Sequence, residues 1–288
     1  MTILVTGATG GVGRLVVERL VQDDQKVRAL TRDPSKAAFP ASVEVVAGDL
    51  DRPETLAGAL RGVDRMYLFP VAKTARDVVG LAEEAGVRRV VVLSSGAVTG
   101  GFDTDFHLPV EQAVEASGMD WTHVRPGEFM LNKLWLWGPS IRAERVVRDP
   151  NPDAAWCPVH ERDIADVAAV ALLDDGHAGA AYDLNGPEFI SYRDQVRTIS
   201  AALGEEVGFE VVTPEEARES YRKQGGFAAE NADFLLGFTD YSGGDADPAD
   251  AKDIDLSAYG PLPTSEAVTG RPARTFAEWA REHADGFR

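Results

Sequence analysis

Short apolar runs alternate with segments of helical spacing through the first half of the chain. The runs are nearly continuous in apolar, often β-branched residues, which is typical of strands covered on both faces. The predicted strands are 3–6, 26–30, 43–46, 66–69, 89–93 and 121–124. Strands that alternate with helices in this way predict an α/β fold with a doubly wound parallel sheet.

Beyond residue 126 the alternation becomes irregular. An apolar, aromatic stretch covers 129–137, followed by a predicted helix at 164–173, strands at 181–184 and 208–212, and a last helix at 273–283. We therefore predict a sheet domain over residues 1–150. Residues 151–288 are predicted to supply late strands and a small, mainly helical C-terminal substrate lobe that does not fold independently.

Composition narrows the class of protein. Of the 288 residues, 44% are hydrophobic and 26% are charged, which is typical of a globular protein, and no apolar run reaches the ~18 residues of a membrane helix. The lone cysteine, Cys157, cannot form an internal disulfide, and the chain opens without a signal-peptide pattern. We expect a cytoplasmic protein without membrane contact, either a monomer or a homodimer.

The net charge of −18 is unevenly distributed. Residues 1–150 contain 18 basic and 20 acidic residues, whereas residues 151–288 contain 11 and 27. An acidic surface repels phosphate backbones, so nucleic-acid binding is not expected. The nearly neutral first half is better suited to an anionic cofactor.

A glycine-rich turn from Thr6 to Gly13 follows the first predicted strand and opens a helix. In this context glycines permit a tight turn, close approach of the backbone to a diphosphate, and close packing of the helix on the sheet. The amides at the helix start would hold the diphosphate, unless the segment is only a tight structural turn. The predicted cofactor residues are Gly7, Thr9, Gly10, Gly11, Val12 and Gly13.

The end of the second strand bears on the choice of cofactor. An NAD-binding chain carries an acidic residue there for the ribose hydroxyls, whereas this chain has Thr31 and Arg32. Arg32 can bind a 2′-phosphate through two parallel hydrogen bonds, and Lys36 can assist, which favours NADP (NADPH) over NAD. Alternatively, Asp33 accepts hydrogen bonds from a ribose, or Arg32 and Lys36 are solvated surface charges.

Further cofactor contacts are expected outside the carboxyl ends of the other strands. Asp49 can accept from an adenine amino group or cap the helix that Pro53 opens. Phe69 begins a segment expected to lie along the cofactor, and Ser94 is expected at the nicotinamide. The predicted cofactor residues of these strand ends are Asp49, Leu50, Phe69, Pro70, Val71 and Ser94.

Ordered motifs cover the chain nearly from end to end. They are TGATGGVG at 6–13, AGVRRVVVLSS at 85–95, SGMDWTHVRPGEFMLN at 117–132, PVHERDIADVA at 158–168, LNGP at 184–187 and VTGRPARTFAEW at 268–279. Together they resemble the NmrA-like branch of the atypical short-chain dehydrogenase/reductase superfamily. The resemblance implies a Rossmann-type NAD(P)-binding domain. It also implies a quinone reductase, a triphenylmethane- or azo-dye reductase, or a redox sensor that binds the cofactor without turnover.

The catalytic Tyr-x-x-x-Lys pair of that superfamily is absent, because Phe106 and Val110 occupy the expected spacing. We take His107 as the first candidate for a proton donor or polar anchor, since histidine titrates near neutral pH. Alternatively, it is a helix-start residue bonded to the backbone. Ser94 and Ser95 are candidates to bind a carbonyl oxygen, or they cap the end of the strand.

Aromatic residues of the second half are candidates for a substrate pocket. Phe129, Trp135 and Trp156, together with His107, are predicted to wall a pocket for a flat, apolar or aromatic small molecule. Ordinary core packing is the alternative. Lys133 is expected to be solvated, and no metal site is predicted.

Three functions follow in order of preference. The first is an NADPH-dependent oxidoreductase that transfers hydride to a quinone-like or other conjugated apolar small molecule. Because the tyrosine–lysine pair is missing, the second is a non-catalytic NADP-binding redox sensor or regulator. The third is a redox-neutral isomerase or lyase on the same fold.

Overall fold

Strands and helices alternate through the first 126 residues of the computed structural model, which describes residues 1–241, 243–246 and 259–288. The strands are β1 (Thr2–Val5), β2 (Lys26–Thr31), β3 (Glu44–Ala47), β4 (Arg65–Leu68), β5 (Arg89–Leu93), β6 (Asp120–Pro126), β7 (Val146–Asp149), β8 (Ala155–Trp156), β9 (Ala180–Leu184), β10 (Ile190–Ser191) and β11 (Gly208–Val211). The helices are α1 (Gly11–Gln22), α2 (Ala57–Leu60), α3 (Ala75–Glu84), α4 (Gly96–Thr99), α5 (Leu108–Glu115), α6 (Asn132–Glu144), α7 (Glu161–Leu173), α8 (Tyr192–Leu203), α9 (Pro214–Gln224), α10 (Gly226–Leu235), α11 (Thr264–Thr269) and α12 (Phe276–Glu282).

Seven strands form one sheet in the order β3-β2-β1-β4-β5-β6-β9, and every neighbouring pair is parallel. The chain runs outward from β1 to β3 and then returns to β4 on the other side of β1. The strand order therefore reverses between β1 and β4, which opens a crevice at their carboxyl ends. The predicted doubly wound α/β fold is confirmed.

The helices that flank the sheet are fixed to it by apolar packing and by two arginines. Helix α1 packs with α7, and α3 packs with α5. Arg89, buried at the start of β5, donates to the Asp174 carbonyl at 2.5 Å, and Arg65 of β4 donates to the Leu173 carbonyl at 2.8 Å. The last carbonyls of a helix lack partners within it, so the arginines anchor the end of α7.

The described chain divides into two compact units. Unit 1 consists of Met1–Pro126, Glu161–Leu184 and Thr264–Arg271, and unit 2 of Gly127–His160, Asn185–Pro263 and Pro272–Arg288. Unit 1 holds the seven-stranded sheet. The predicted boundary at residue 150 and the dependence of the C-terminal lobe on the sheet domain stay predictions.

Unit 2 is mainly helical, with a core that includes the buried side chains of Trp137, Phe276 and Trp279. It also contains two small sheets. In one, β7 and β11 pair in parallel, and in the other, β8 and β10 pair antiparallel. The strand predicted at 208–212 is thus β11, outside the large sheet. Within the described parts of the chain, no helix is both long and apolar enough to cross a membrane.

Candidate active site

The turn after β1 depends on contacts that only glycine permits. Gly7 has a φ of +58°, and its carbonyl accepts the Gly10 amide at 2.9 Å. A Cβ on Gly13 would lie 2.2 Å from the Gly7 oxygen, so the start of α1 rests directly on the turn. The tight turn and close helix packing expected of these glycines therefore have a geometric basis.

The first turn of α1 is open toward an anion. Gly10 caps the helix in an extended conformation, and no side chain among the described residues completes the cap. Thr9 and Gly10 are exposed, Gly11 is half-buried, and Val12 is buried in the core. Helix-start amides have no partner within their helix and lie at the positive end of its dipole, a donor set that suits a diphosphate. The residues present therefore fit the predicted cofactor.

Thr6 joins the ends of β1 and β4 at this crevice. Its hydroxyl donates to the Tyr67 carbonyl at 3.0 Å and accepts the Phe69 amide at 2.7 Å. The Phe69 side chain lies against the glycine turn, because a Cβ on Gly7 would be 3.0 Å from the Phe69 Cβ. Pro70 is buried. Three of the predicted cofactor residues share one apolar depression, which is lined by Leu50, Leu68, Phe69, Val71, Ala75, Val78 and Val110.

The loop after β2 engages Asp33 but not Arg32. The Asp33 carboxylate accepts the Ser35 amide and hydroxyl at 3.1 and 2.6 Å and pairs with the Lys36 ammonium at 3.1 Å. Ser35, and after it Lys36, hold the pKa of Asp33 below its usual value. Arg32 is exposed, and its guanidinium has no partner among the described residues. It is therefore available to an anion, whereas Lys36 and Asp33 already satisfy each other.

The Asp49 side chain makes its contacts within the loop that follows β3. One carboxylate oxygen accepts the Asp51 amide at 3.1 Å, and the other lies 3.5 Å from Nε of Arg52. The 3-10 helix Pro53–Thr55 begins at Arg52 without a side-chain cap among the described residues. The alternative in which Asp49 caps that helix is therefore wrong, and its contact with adenine stays a prediction.

Ser94 and Ser95, which follow β5, have different surroundings. Ser95 caps α4, because its hydroxyl oxygen accepts the Ala97 amide at 3.2 Å. Ser94 is 98% buried, with 2% of its surface exposed, and its hydroxyl has no hydrogen-bond partner within 3.5 Å among the described residues. Ser94 is thus buried at the end of β5, where the nicotinamide is predicted, and its hydroxyl lies near the Glu111 carboxylate.

A buried ion pair lies beside Ser94. The Glu111 carboxylate accepts two hydrogen bonds from the Arg125 guanidinium, at 2.9 and 2.6 Å. Burial alone would raise the pKa of Glu111, but Arg125 and the nearby Ser94 hydroxyl hold it below its usual value. Glu111 is therefore ionised and immobilised at neutral pH.

His107 precedes α5 and is held by a carboxylate that the sequence analysis did not single out. Asp103 is buried, with one oxygen 2.5 Å from His107 Nδ1 and the other accepting the amides of Phe106 and His107 at 3.0 and 2.9 Å. Burial alone would raise the pKa of Asp103, but these hydrogen bonds hold it below its usual value. The carboxylate favours a proton on Nδ1 and leaves Nε2 for proton exchange. The available signal was the Asp-x-x-x-His spacing at a predicted helix start.

The predicted pocket aromatics of unit 2 have different local surroundings, and the pocket that they would share with His107 stays a prediction. Trp135, which is 40% exposed, borders a groove between α6 and the turn that joins α9 to α10. Phe129 forms a β-bridge with Val159, and Trp156 pairs with Ile190 between β8 and β10. Of the three aromatics, Trp135 alone borders the groove among the described residues.

Lys133 is buried, so the expectation that it is solvated is wrong. Its ammonium donates to a Glu128 carboxylate oxygen at 2.6 Å and lies 3.9 and 4.6 Å from the ring centroids of Tyr192 and Trp137. Helix α6 places residue 133 on its buried face together with Trp137. The register of the helix therefore decides its environment, and the carboxylate and aromatic rings compensate for the buried charge.

Three potential metal ligands also come together in unit 1. Atoms of Glu111, Glu115 and His123 lie within 4.8 Å of one another. Arg125 already neutralises Glu111, and His123 Nε2 lies 3.1 Å from Glu115. Burial lowers the pKa of His123. The group thus has its own partners, and the expectation of no metal site stays a prediction.

Comparisons with known proteins place this geometry in a family. Residues 7–175 match a family described as NAD(P)H-binding. The (4-alkanoyl-5-oxo-2,5-dihydrofuran-3-yl)methyl phosphate reductase of Streptomyces griseus is 40% identical over 293 residues, 99% of each chain. The NAD(P)H azoreductase of Xenophilus azovorans is 35% identical over 303 residues, again 99% of each chain. A solved Escherichia coli NADPH-dependent quinone oxidoreductase in complex with NADPH has a TM-score of 0.77 at 24% identity, over 98% of this chain and 99% of the other.

The matched segment begins at the glycine turn and extends through α7. Both full-length relatives are reductases, which confirms the predicted oxidoreductase class. The preference for NADPH over NADH and the roles of individual residues stay predictions. On the family match and the two full-length relatives, the chain belongs to the NAD(P)H-binding family.

Proposed function

We propose that this protein transfers hydride from NADPH to a conjugated, largely apolar small molecule such as a quinone or an unsaturated carbonyl compound. The names of the full-length relatives give an alkanoyl-oxo-dihydrofuran phosphate in one case and azo compounds in the other, both unsaturated acceptors. The observation that carries the proposal is the Asp103–His107 pair. It lies in unit 1 with the glycine turn, at the place in the chain where a Tyr-x-x-x-Lys pair is expected.

The chain's own residues supply the proton and the orientation. The bound nicotinamide supplies the hydride. His107 donates the proton from Nε2 to the acceptor atom that gains negative charge. Asp103 keeps Nδ1 protonated and fixes the ring, so it acts as a positioning residue through His107. One hydride and one proton together complete the two-electron reduction.

The same geometry supports NADPH as the preferred cofactor. The exposed Arg32 offers an unpaired guanidinium to the 2′-phosphate, and the helix-start amides of α1 suit the diphosphate. The exposed side chain of Phe69, which lies against the glycine turn, offers an apolar face to the cofactor. Lys36 is paired with Asp33 and therefore contributes less than Arg32 to binding the 2′-phosphate.

We also propose a cytoplasmic location. Cys157 is a buried free thiol, and burial, aided by the negative charge of Glu188, raises its pKa to about 11. A protonated, buried thiol is unreactive at neutral pH, and a chain that contains it needs no oxidising compartment.

The direct test follows NADPH absorbance during incubation of the purified protein with quinones, azo dyes and alkanoyl furanones. We expect NADPH consumption with at least one class. His107→Ala should lower kcat about 100-fold or more without weakening NADPH binding, because general acid catalysis contributes that much. Asp103→Asn should lower kcat and shift the pH profile while leaving NADPH binding unchanged. His177→Ala, which removes a histidine bonded to Tyr182, is the matched control and should be neutral.

The other outcomes separate the alternatives. Tight NADPH binding without oxidation of any acceptor would favour the redox sensor or regulator. A product formed without net NADPH consumption would favour an isomerase or lyase. Normal turnover by the His107 variant would remove it as the acid.

A further inference from the structure

The groove beside Trp135 lies within unit 2, and its lining is chemically mixed. It has a volume of about 400 Å³, within the range of small-molecule sites. Helix α6 forms one side, and the turn between α9 and α10 forms the other. The lining residues are Leu134, Trp135, Pro139, Arg142, Gln224, Gly225, Gly226 and Phe227.

The apolar part of the groove is an open aromatic pair. The rings of Trp135 and Phe227 have centroids 5.0 Å apart at an interplanar angle of 53°. Gln224 donates to the Trp135 carbonyl at 2.7 Å, which ties the two sides together. Gly225 and Gly226 have φ angles of +77° and +52°, a turn that residues with a Cβ rarely adopt. The walls are therefore held in place, while Trp135 stays 40% exposed and Phe227 is half-buried.

Arg142 gives the groove a cation without a carboxylate partner. One N–H of its exposed guanidinium donates to the Gly286 carbonyl, and the others have no protein partner among the described residues. Gly138, one turn earlier, makes room for it, because a Cβ there would lie 3.0 Å from Nη1. The guanidinium is thus held by backbone and keeps donors for a ligand.

This availability is unusual for the part of unit 2 that forms the groove. Every other lysine or arginine of the unit between residues 132 and 224 has a carboxylate within 4 Å. These cations are Lys133, Arg145, Arg148, Arg193, Arg197, Arg218, Arg222 and Lys223. In so acidic a stretch of chain, a cation that borders an aromatic groove and lacks an acidic partner favours an anionic ligand.

We propose that this groove binds a small amphipathic anion, in which a flat apolar body packs on Trp135 and Phe227 and a phosphate or carboxylate pairs with Arg142. The charge complementarity of Arg142 selects the anion, and the aromatic pair selects the apolar body. The inference does not depend on the proposed reductase activity.

Calorimetric titration with 1-naphthyl phosphate and its neutral counterpart 1-naphthol tests the proposal on the full chain. Titrations with and without saturating NADP⁺ separate this groove from the glycine turn. We expect the phosphate to bind more tightly than the alcohol and to change the fluorescence of Trp135. Arg142→Gln should lower the affinity for the phosphate about tenfold or more and leave the affinity for the alcohol within about twofold of the wild type. Arg197→Gln, which removes an exposed cation from α8, is the matched control and should change neither.

Trp135→Ala should weaken both probes and remove the fluorescence change. Equal affinity for the two probes, or equal effects of Arg142→Gln and Arg197→Gln, would overturn the proposal. Self-association in sedimentation experiments that Trp135→Ala abolishes and naphthyl phosphate does not displace would also overturn it. That result would assign the groove to a second copy of the chain.

Discussion

Arg32 stands at the end of β2 with an exposed guanidinium, while the neighbouring Asp33 carboxylate is already engaged by Ser35 and Lys36. The sequence leaves the roles of these side chains open, since either Arg32 or Asp33 can face a ribose. The local geometry favours the arginine, because Asp33 would have to give up its cap to accept from a hydroxyl. We therefore expect the choice between the two cofactors to depend on this short loop.

Arg32→Ala is expected to weaken NADPH binding about tenfold or more and to leave NADH binding within about twofold. The reason is that a 2′-phosphate offers charge-assisted hydrogen bonds, whereas a 2′-hydroxyl does not. Calorimetric titration with each cofactor measures the effect. Arg76→Ala removes another exposed arginine, from α3, and serves as control. An unchanged ratio of the two affinities would remove Arg32 from cofactor selection.

At the scale of elements, the contact between α1 and the preceding turn is the tightest constraint on the cofactor crevice. Gly13→Ala would place a Cβ 2.2 Å from the Gly7 carbonyl oxygen, so the helix start must move. We expect a loss of about 2 kcal/mol of unfolding free energy, together with loss of NADPH binding. Urea unfolding and calorimetry measure the two effects.

The chain offers a matched control for this substitution. Gly80 lies inside α3, and a Cβ there would meet nothing within 4 Å. Gly80→Ala should therefore raise the unfolding free energy by up to about 1 kcal/mol, because alanine is the better helix former, and leave NADPH binding unchanged. Similar losses in both variants would mean that the α1 contact is not the constraint.

The elements that the sequence predicts are those with a regular pattern of apolar positions. All seven strands of the large sheet lie within two residues of their predicted bounds. The central strands β1, β4 and β5 are almost wholly buried, so their apolar runs are continuous. The two-residue strands β8 and β10 are too short to show any period. Lys133 was misplaced because residue type argues for the surface, whereas its environment depends on the register of α6.

In the candidate site, too, features set by neighbours in sequence were predicted, whereas contacts made by tertiary folding were not. The conformation of the glycine turn was predictable because it depends on neighbours in sequence. Asp103 was missed because its role depends on a loop that folds its carboxylate back onto the His107 ring. Likewise, the pairing of Glu111 with Arg125 joins α5 to β6, and no local pattern indicates it.

At the scale of the whole molecule, the strong negative charge contributes less to acid sensitivity than a few buried carboxylates. Partly exposed acids with lowered pKa values, such as Asp33 and Asp233, are screened by solvent and contribute little to stability. Asp103 and Glu111 are buried, and the side chain of each is only 1% exposed. The pKa of Asp149 in unit 2 shifts in the opposite direction, because burial raises it.

Glu111→Gln tests this assignment through its pH dependence. The folded pKa of Glu111 lies below the usual 4.5, so its ionised form stabilises the fold fully above about pH 4.5 and loses that effect as the pH falls through the folded pKa. At neutral pH the variant should lose about 3 kcal/mol, since Arg125 stays partly buried without its carboxylate. Its unfolding free energy should then fall less steeply than that of the wild type on acidification. Urea unfolding between about pH 7 and pH 3 measures both slopes, with Glu219→Gln on the exposed face of α9 as control. If unfolding free energy falls with pH in parallel for the wild type and Glu111→Gln, Glu111 is not the source of the acid sensitivity. The sensitivity would then be assigned to Asp103 and its ion pair with His107.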